Sequence, residues 1–132
     1  MYVGNHSAAS NPSLLKKCGV TAIVNCTHAP NVLPMSLNKD VFTYLHFPIC
    51  EWEISIDTTS DAAILSWFEP VFKLIETFTR EGRSVLIHCL AGAHRAGTTG
   101  VATLMHFASM DVASATFAAK TCRPIIDPTI GR

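Results

Sequence analysis

The chain has 132 residues, 48% of them hydrophobic and 15% charged, enough apolar material for one buried core and too much for a disordered chain. Ten basic residues balance ten acidic ones. With no basic cluster larger than Lys16-Lys17, nothing supplies the face that nucleic acid or an anionic lipid surface requires. Five cysteines, an odd number, follow a start that lacks a basic flank and a long apolar stretch, which argues against a secreted disulfide scaffold and for the cytoplasm or nucleus. No apolar run approaches the roughly 18 residues of a membrane span.

No repeat, linker or low-complexity tract divides the chain, so 1–132 reads as a single domain. Residues 2–4 are predicted as a short strand. Asn11-Pro12-Ser13 offers an N-cap with proline at the first helical position, and Gly19 closes that short helix. Val20 to Asn25 is a continuous β-branched, apolar run, the pattern of a strand buried on both faces. A second strand is predicted over 42–47. Two irregular stretches, 28–40 and 48–59, separate these elements from a helix expected from Ser60 or Asp61 to Glu81, where Ile64, Leu65, Phe68, Val71, Phe72, Ile75 and Phe78 keep a 3.6-residue period. Pro70 lies inside it and predicts a kink or a shifted start. Residues 84–88 form a third, strongly apolar strand, and helices follow over about 96–109 and 111–120. Strands alternating with helices imply an α/β fold: a central, mainly parallel sheet flanked by helices.

The chemistry concentrates where the third strand meets its helix, in Cys89-Leu90-Ala91-Gly92-Ala93-His94-Arg95. A slim loop entering a helix N-terminus turns successive N–H groups and the positive end of the macrodipole toward an anion. Phosphate suits such a nest, and Arg95 adds two parallel charge-assisted donors. The same surroundings favour the thiolate of Cys89, the reactive form of a side chain otherwise mostly protonated at neutral pH. The stretch 92–99 almost spells a nucleotide-binding P-loop, but the lysine expected after Gly97 is Thr98. Histidines 6, 28, 46 and 106 lack the spacing of a metal site.

His88-Cys89-x-x-Gly92-x-x-Arg95 resembles the signature of the cysteine-dependent protein phosphatases, and the wider pattern is similar to the dual-specificity phosphatases. Tyr2-Val3-Gly4, Ile23-Val24-Asn25 and Arg123-Pro124-Ile125 extend the resemblance over nearly the whole chain. It implies a three-layer domain, with a further helix beyond Arg132, that hydrolyses phosphotyrosine and phosphoserine or phosphothreonine in proteins through a cysteinyl phosphate, with no cofactor or metal. Cys89 would be the nucleophile and Arg95 and the amides of residues 90–95 the phosphate cradle. Asp57, 32 positions before Cys89, would be the general acid, with Glu51 and Asp61 as rivals. His88 would support the loop from behind, and Cys26 stands where relatives carry a cysteine that forms a reversible disulfide with the nucleophile. Two positions depart from the family pattern: His94 stands for the usual Ser or Gly, and Ala96 for the hydroxyl residue that helps the thiolate leave, a place Thr98 or Thr99 would have to fill. Ala96 also resembles the phosphatase-of-regenerating-liver branch. It keeps open a second class of function, a pseudophosphatase that captures phosphorylated partners without turnover, while a phosphoinositide phosphatase is disfavoured by the uncharged Leu90, Ala91 and Ala93.

Overall fold

The structure, a computed structural model, describes residues 1–29 and 41–128. Four strands, β1 (Tyr2–Gly4), β2 (Val20–Asn25), β3 (Thr43–His46) and β4 (Ser84–His88), form one sheet in the order β1-β4-β2-β3. Every pairing is parallel. All four strands therefore end on the same edge, where β2 and β4 are registered Asn25 to His88.

Alternation along these strands builds three layers. Ala22 and Val24 of β2 with Val85 and Ile87 of β4 point to one face, where they pack on Val71, Ile75 and Phe78 of α4 (Asp61–Arg80) and on Ala96 of α5 (Arg95–Ala108). Ile23 and Leu86 point to the other, against Ala9 of α1 (His6–Ala9) and Leu15 of α2 (Pro12–Lys17). The last helix, α6 (Val112–Cys122), lies on α5 through Ala115 and Ala119 beside Val101 and Ile126.

The helix starts follow the chemistry of the sequence. Asn11 caps α2 by accepting from the Leu14 N–H at 3.1 Å, with Pro12 at the first position. Helix α4 begins at Asp61, capped by Ser60, and runs unbroken to Arg80, so Pro70 neither shifts its start nor divides it. The proline and Ser66, whose carbonyl loses its donor, are both exposed, so water can take the place of the missing bond.

Three features differ from the sequence reading. Asn5 caps a four-residue helix, α1, that is too short to show a period. The second strand is the four residues Thr43–His46 rather than 42–47; Phe42 and Phe47 flank it, both buried in the core, and the Phe47 N–H still donates to Asn25 O at 2.8 Å. The stretch 48–59 is not irregular throughout: a 3-10 turn, Ile49–Glu51, and a short helix, α3 (Trp52–Ser55), follow β3. Ile49 is wholly buried, and Phe47 packs on Trp67 and Phe68 of α4 with ring centroids 5.7 and 5.3 Å away. Most of the predicted stretch 28–40 lies outside the described residues.

Candidate active site

Cys89 leaves β4 at the sheet's C-terminal edge and is buried, its Sγ accepting the Gly92 N–H at 3.2 Å. Gly92 turns the loop with φ +71°, a conformation costly for residues carrying a Cβ. A Cβ there would also stand 2.6 Å from the carbonyl carbon and oxygen of Gly4. The loop thus lies so close to the end of β1 that only glycine fits.

Four consecutive carbonyls of this loop are tied back from behind. The His6 N–H donates to Leu90 O at 3.0 Å, and the Asp127 N–H to Ala93 O at 3.0 Å. Arg123 takes the two between: its Nη2 donates to Ala91 O and its Nε to Gly92 O, both at 3.2 Å. A peptide unit whose carbonyl is fixed on one side presents its N–H to the other, so these bonds aim the loop amides into a common concavity. Helix α5 begins from that concavity. Ser60 and Asp111 supply side-chain caps to α4 and α6, whereas His94 supplies none to α5. Its first amides and the positive end of its dipole are open to an anion.

Arg95 opens α5 and is half-buried beside the loop. The side chain of His94 turns away toward the C-terminal segment, with Nδ1 3.1 Å from Asp127 O and 3.6 Å from Asp127 Oδ2. Leu90, directly after the cysteine, is 67% exposed at the rim.

His88 is fully buried on the opposite face of β4. Burial pushes its imidazole down to about 4; the Cys89 backbone pulls the other way and His6 adds a smaller push downward. The ring is therefore neutral at physiological pH, a filler behind the loop rather than a proton carrier. Cys26 follows β2 as Cys89 follows β4. Its N–H donates to His88 O at 2.8 Å, and both thiols belong to the same core cluster. Burial pushes the Cys26 thiol up to about 12, against the Thr99 hydroxyl at 3.4 Å and the charge of Arg95, while the charges of Cys89 and Cys50 raise it.

Ala96 is wholly buried against the core. Of the two threonines near the missing hydroxyl in sequence, Thr99 is committed, donating to Arg95 O at 3.0 Å and lying against Cys26. The Thr98 hydroxyl is buried with no partner among the described residues.

The three carboxylates of the acid-bearing stretch occupy different settings. Glu51 sits on the 3-10 turn that packs against α5. Asp57 is fully exposed, its Oδ1 accepting from the Thr59 hydroxyl at 2.6 Å and the Thr59 N–H at 3.0 Å, which together hold it below the usual carboxylate range. Asp61 is in the first turn of α4.

The loop carbonyl anchors are what sequence reasoning missed. Arg123 was visible only as part of a resemblance, and no spacing signal connects it to residues 31 and 32 positions away.

A parallel four-stranded sheet between helical layers, ending in a cysteine-to-arginine anion loop, defines a cysteine-dependent phosphatase architecture. The family described as dual specificity phosphatase, catalytic domain, matches residues 1–131, and the chain belongs to it. The chain is 33% identical over 132 residues to human dual specificity protein phosphatase 14, covering 99% of the chain and 61% of that relative. It is likewise 33% identical to dual specificity protein phosphatase 1 of Arabidopsis thaliana, over 99% and 61% of the two. The chain thus spans about three-fifths of the length of these relatives. Among solved structures, that of human DUSP28 superimposes with a TM-score of 0.76 at 25% identity, covering 97% of this chain and 82% of the other. That of DUSP15 gives 0.75 at 24%, covering 96% and 74%.

Proposed function

We propose that the protein is a phosphatase that removes phosphate from tyrosine and from serine or threonine side chains of proteins through a cysteinyl phosphate. One observation carries the reading: a buried thiol stands at the start of a loop whose four carbonyls from Leu90 to Ala93 are all fastened outward, ahead of the N-terminus of α5.

Such a cradle serves an oxyanion whose charge is redistributed during reaction, because its donors are already oriented and need no reorganisation. The thiolate of Cys89 attacks phosphorus, the S–P bond forms and the P–O bond to the side chain breaks. Arg95 and the amides of residues 90–95 hold the equatorial oxygens throughout. Water then attacks phosphorus, the S–P bond breaks, and the thiolate and inorganic phosphate are released. With His88 neutral, the charge balance of the pocket rests on Arg95 and the amides.

Asp57 is the carboxylate that the family spacing selects to protonate the leaving oxygen; it must first give up its two hydrogen bonds to Thr59. Glu51 is a second reading, favoured by its place on the turn packed against α5. The pH–rate profiles of Asp57→Asn and Glu51→Gln decide between them, since the variant lacking the true donor loses the basic limb of the profile. Thr98, with its unengaged hydroxyl, is our candidate to assist departure of the thiolate in place of Ala96. Cys26 is our candidate for the reversible disulfide partner of Cys89. Because both thiols must be reduced for turnover, we place the protein in the cytoplasm or nucleus.

Matched phosphotyrosine, phosphoserine and phosphothreonine peptides, assayed for phosphate release beside a Cys89→Ser control, test the substrate class. Release from all three supports dual specificity. Release from phosphotyrosine alone removes the serine and threonine half of the proposal, and no release by folded protein replaces it with phosphopeptide capture.

A further inference from the structure

Beyond the end of the neighbouring strand β2, and on the turn after β3, stands a second constellation, of which the phosphatase reading uses only Glu51, as its alternative general acid. His28 Nε2 lies 3.0 Å from Cys50 Sγ, and His28 Nδ1 lies 3.3 Å from Glu51 Oε1. The arrangement selects one tautomer: Nδ1–H donates to the carboxylate, leaving the Nε2 lone pair to accept the Cys50 S–H. Nucleophile, base and orienting carboxylate are thus in line.

The loop that presents His28 is itself built. Asn25, nearly fully buried, accepts from the Thr27 N–H at 2.9 Å and the Thr27 hydroxyl at 2.6 Å, and its Nδ2 donates to Ala29 O at 2.7 Å. His46 Nε2 donates to Thr27 O at 2.7 Å. From the other side, buried Ile49 fixes the turn that carries Cys50 and Glu51. The site is also reachable from solvent: Cys50 is half-buried, and the side chains of His28 and Glu51 are 65% and 43% exposed.

We propose that Cys50 is a second nucleophilic thiol, activated by His28 and Glu51 and oxidised by hydrogen peroxide to a sulfenic acid. The Cys50 proton passes to His28 Nε2, and the thiolate attacks one peroxide oxygen. The S–O bond forms and the O–O bond breaks, so sulfur gives up two electrons, and the departing hydroxide takes the proton back from His28 as water. A negative charge on Cys50 or on Cys89 pushes the Cys26 thiol up, so both sulfurs are within electrostatic reach of Cys26. Three thiols therefore follow adjacent strands β3, β2 and β4, and oxidation at Cys50 falls on the 3-10 turn that packs against α5.

The test needs no turnover, so its failure is distinct from failure of the phosphatase reading. The whole chain is treated with limiting iodoacetamide at pH 6.5, and alkylation of each cysteine is followed by peptide mass spectrometry, with exposed Cys122 as the internal reference. Cys50 is expected to react about tenfold faster than Cys122. His28→Asn should bring Cys50 to the Cys122 rate, and Glu51→Gln should slow it by about threefold. An unchanged Cys122 rate and circular dichroism spectrum certify the fold of each variant. With hydrogen peroxide and dimedone, Cys50 should carry the dimedone tag in the wild type and lose it in His28→Asn. Reaction of Cys50 no faster than Cys122, or at the same rate without His28, would overturn the proposal.

Discussion

Arg123 and Gly92, 31 residues apart, are joined by a hydrogen bond from Nε to the carbonyl oxygen at 3.2 Å, and the same guanidinium reaches Ala91 O. The C-terminal segment therefore shapes the phosphate loop without reaching into it. Arg123→Ala releases two peptide units, and the amides behind them lose their aim. We expect kcat/KM on an aryl phosphate to fall by on the order of tenfold, carried mainly by kcat, because preorganised donors matter most in the transition state. Arg123→Lys can keep one of the two bonds and should fall between. A change in KM alone, or thermal destabilisation with unchanged kinetics, would assign Arg123 a purely structural part.

Gly92→Ala meets two obstacles together, the positive φ and a Cβ 2.6 Å from the Gly4 carbonyl. The loop must move away from β1 or open its turn. Affinity for inorganic phosphate or vanadate, measured by calorimetry, should drop by about a hundredfold or more, while the sheet, whose ladder ends before Gly92, still folds. Retained affinity would show that the loop does not need this turn.

His88 predicts a pH dependence of stability. Its folded value is depressed to about 4 by burial, below the ordinary histidine value of 6.5. Below that ordinary value the unfolded chain binds the proton more readily than the folded one. Stability is therefore fully present above about pH 6.5 and declines as pH falls toward 4, by up to on the order of 3 kcal/mol. Urea unfolding between pH 7 and 5, where few carboxylates titrate, should show this slope in the wild type and a flatter one in His88→Gln. Parallel slopes would contradict the assignment.

Ala96→Ser restores a hydroxyl at the start of α5. If thiolate departure limits turnover, the burst of leaving-group release stays the same and the steady state rises several-fold. Stopped-flow measurement separates the two phases. A faster burst with no gain in steady state would locate the limitation in the first step.

What the sequence made legible was whatever neighbouring residues decide. The β-branched run at Val20–Asn25, the Asn11-Pro12 helix start and the stretch from Cys89 to Arg95 carry their structure in local pattern, and each forms as expected. The effect of Pro70 on the helix start was not legible, because its cost depends on whether Ser66 O can reach water, which only the orientation of α4 decides. The bonds from His6, Arg123 and Asp127 to the loop were invisible for a different reason: they join segments remote in sequence, through backbone atoms that every residue possesses. The alignment of Cys50 with His28 likewise depends on β3 lying beside β2.

The most direct test of the central claim is a metal-free aryl phosphate assay with chelator and reductant present, comparing the wild-type chain with Cys89→Ser. Turnover by the wild type that vanishes in the variant, with a burst of leaving group matching the enzyme concentration when the second step is slow, is the predicted result. A folded wild type that binds phosphate but releases no leaving group, or a Cys89→Ser variant as active as the wild type, would contradict it.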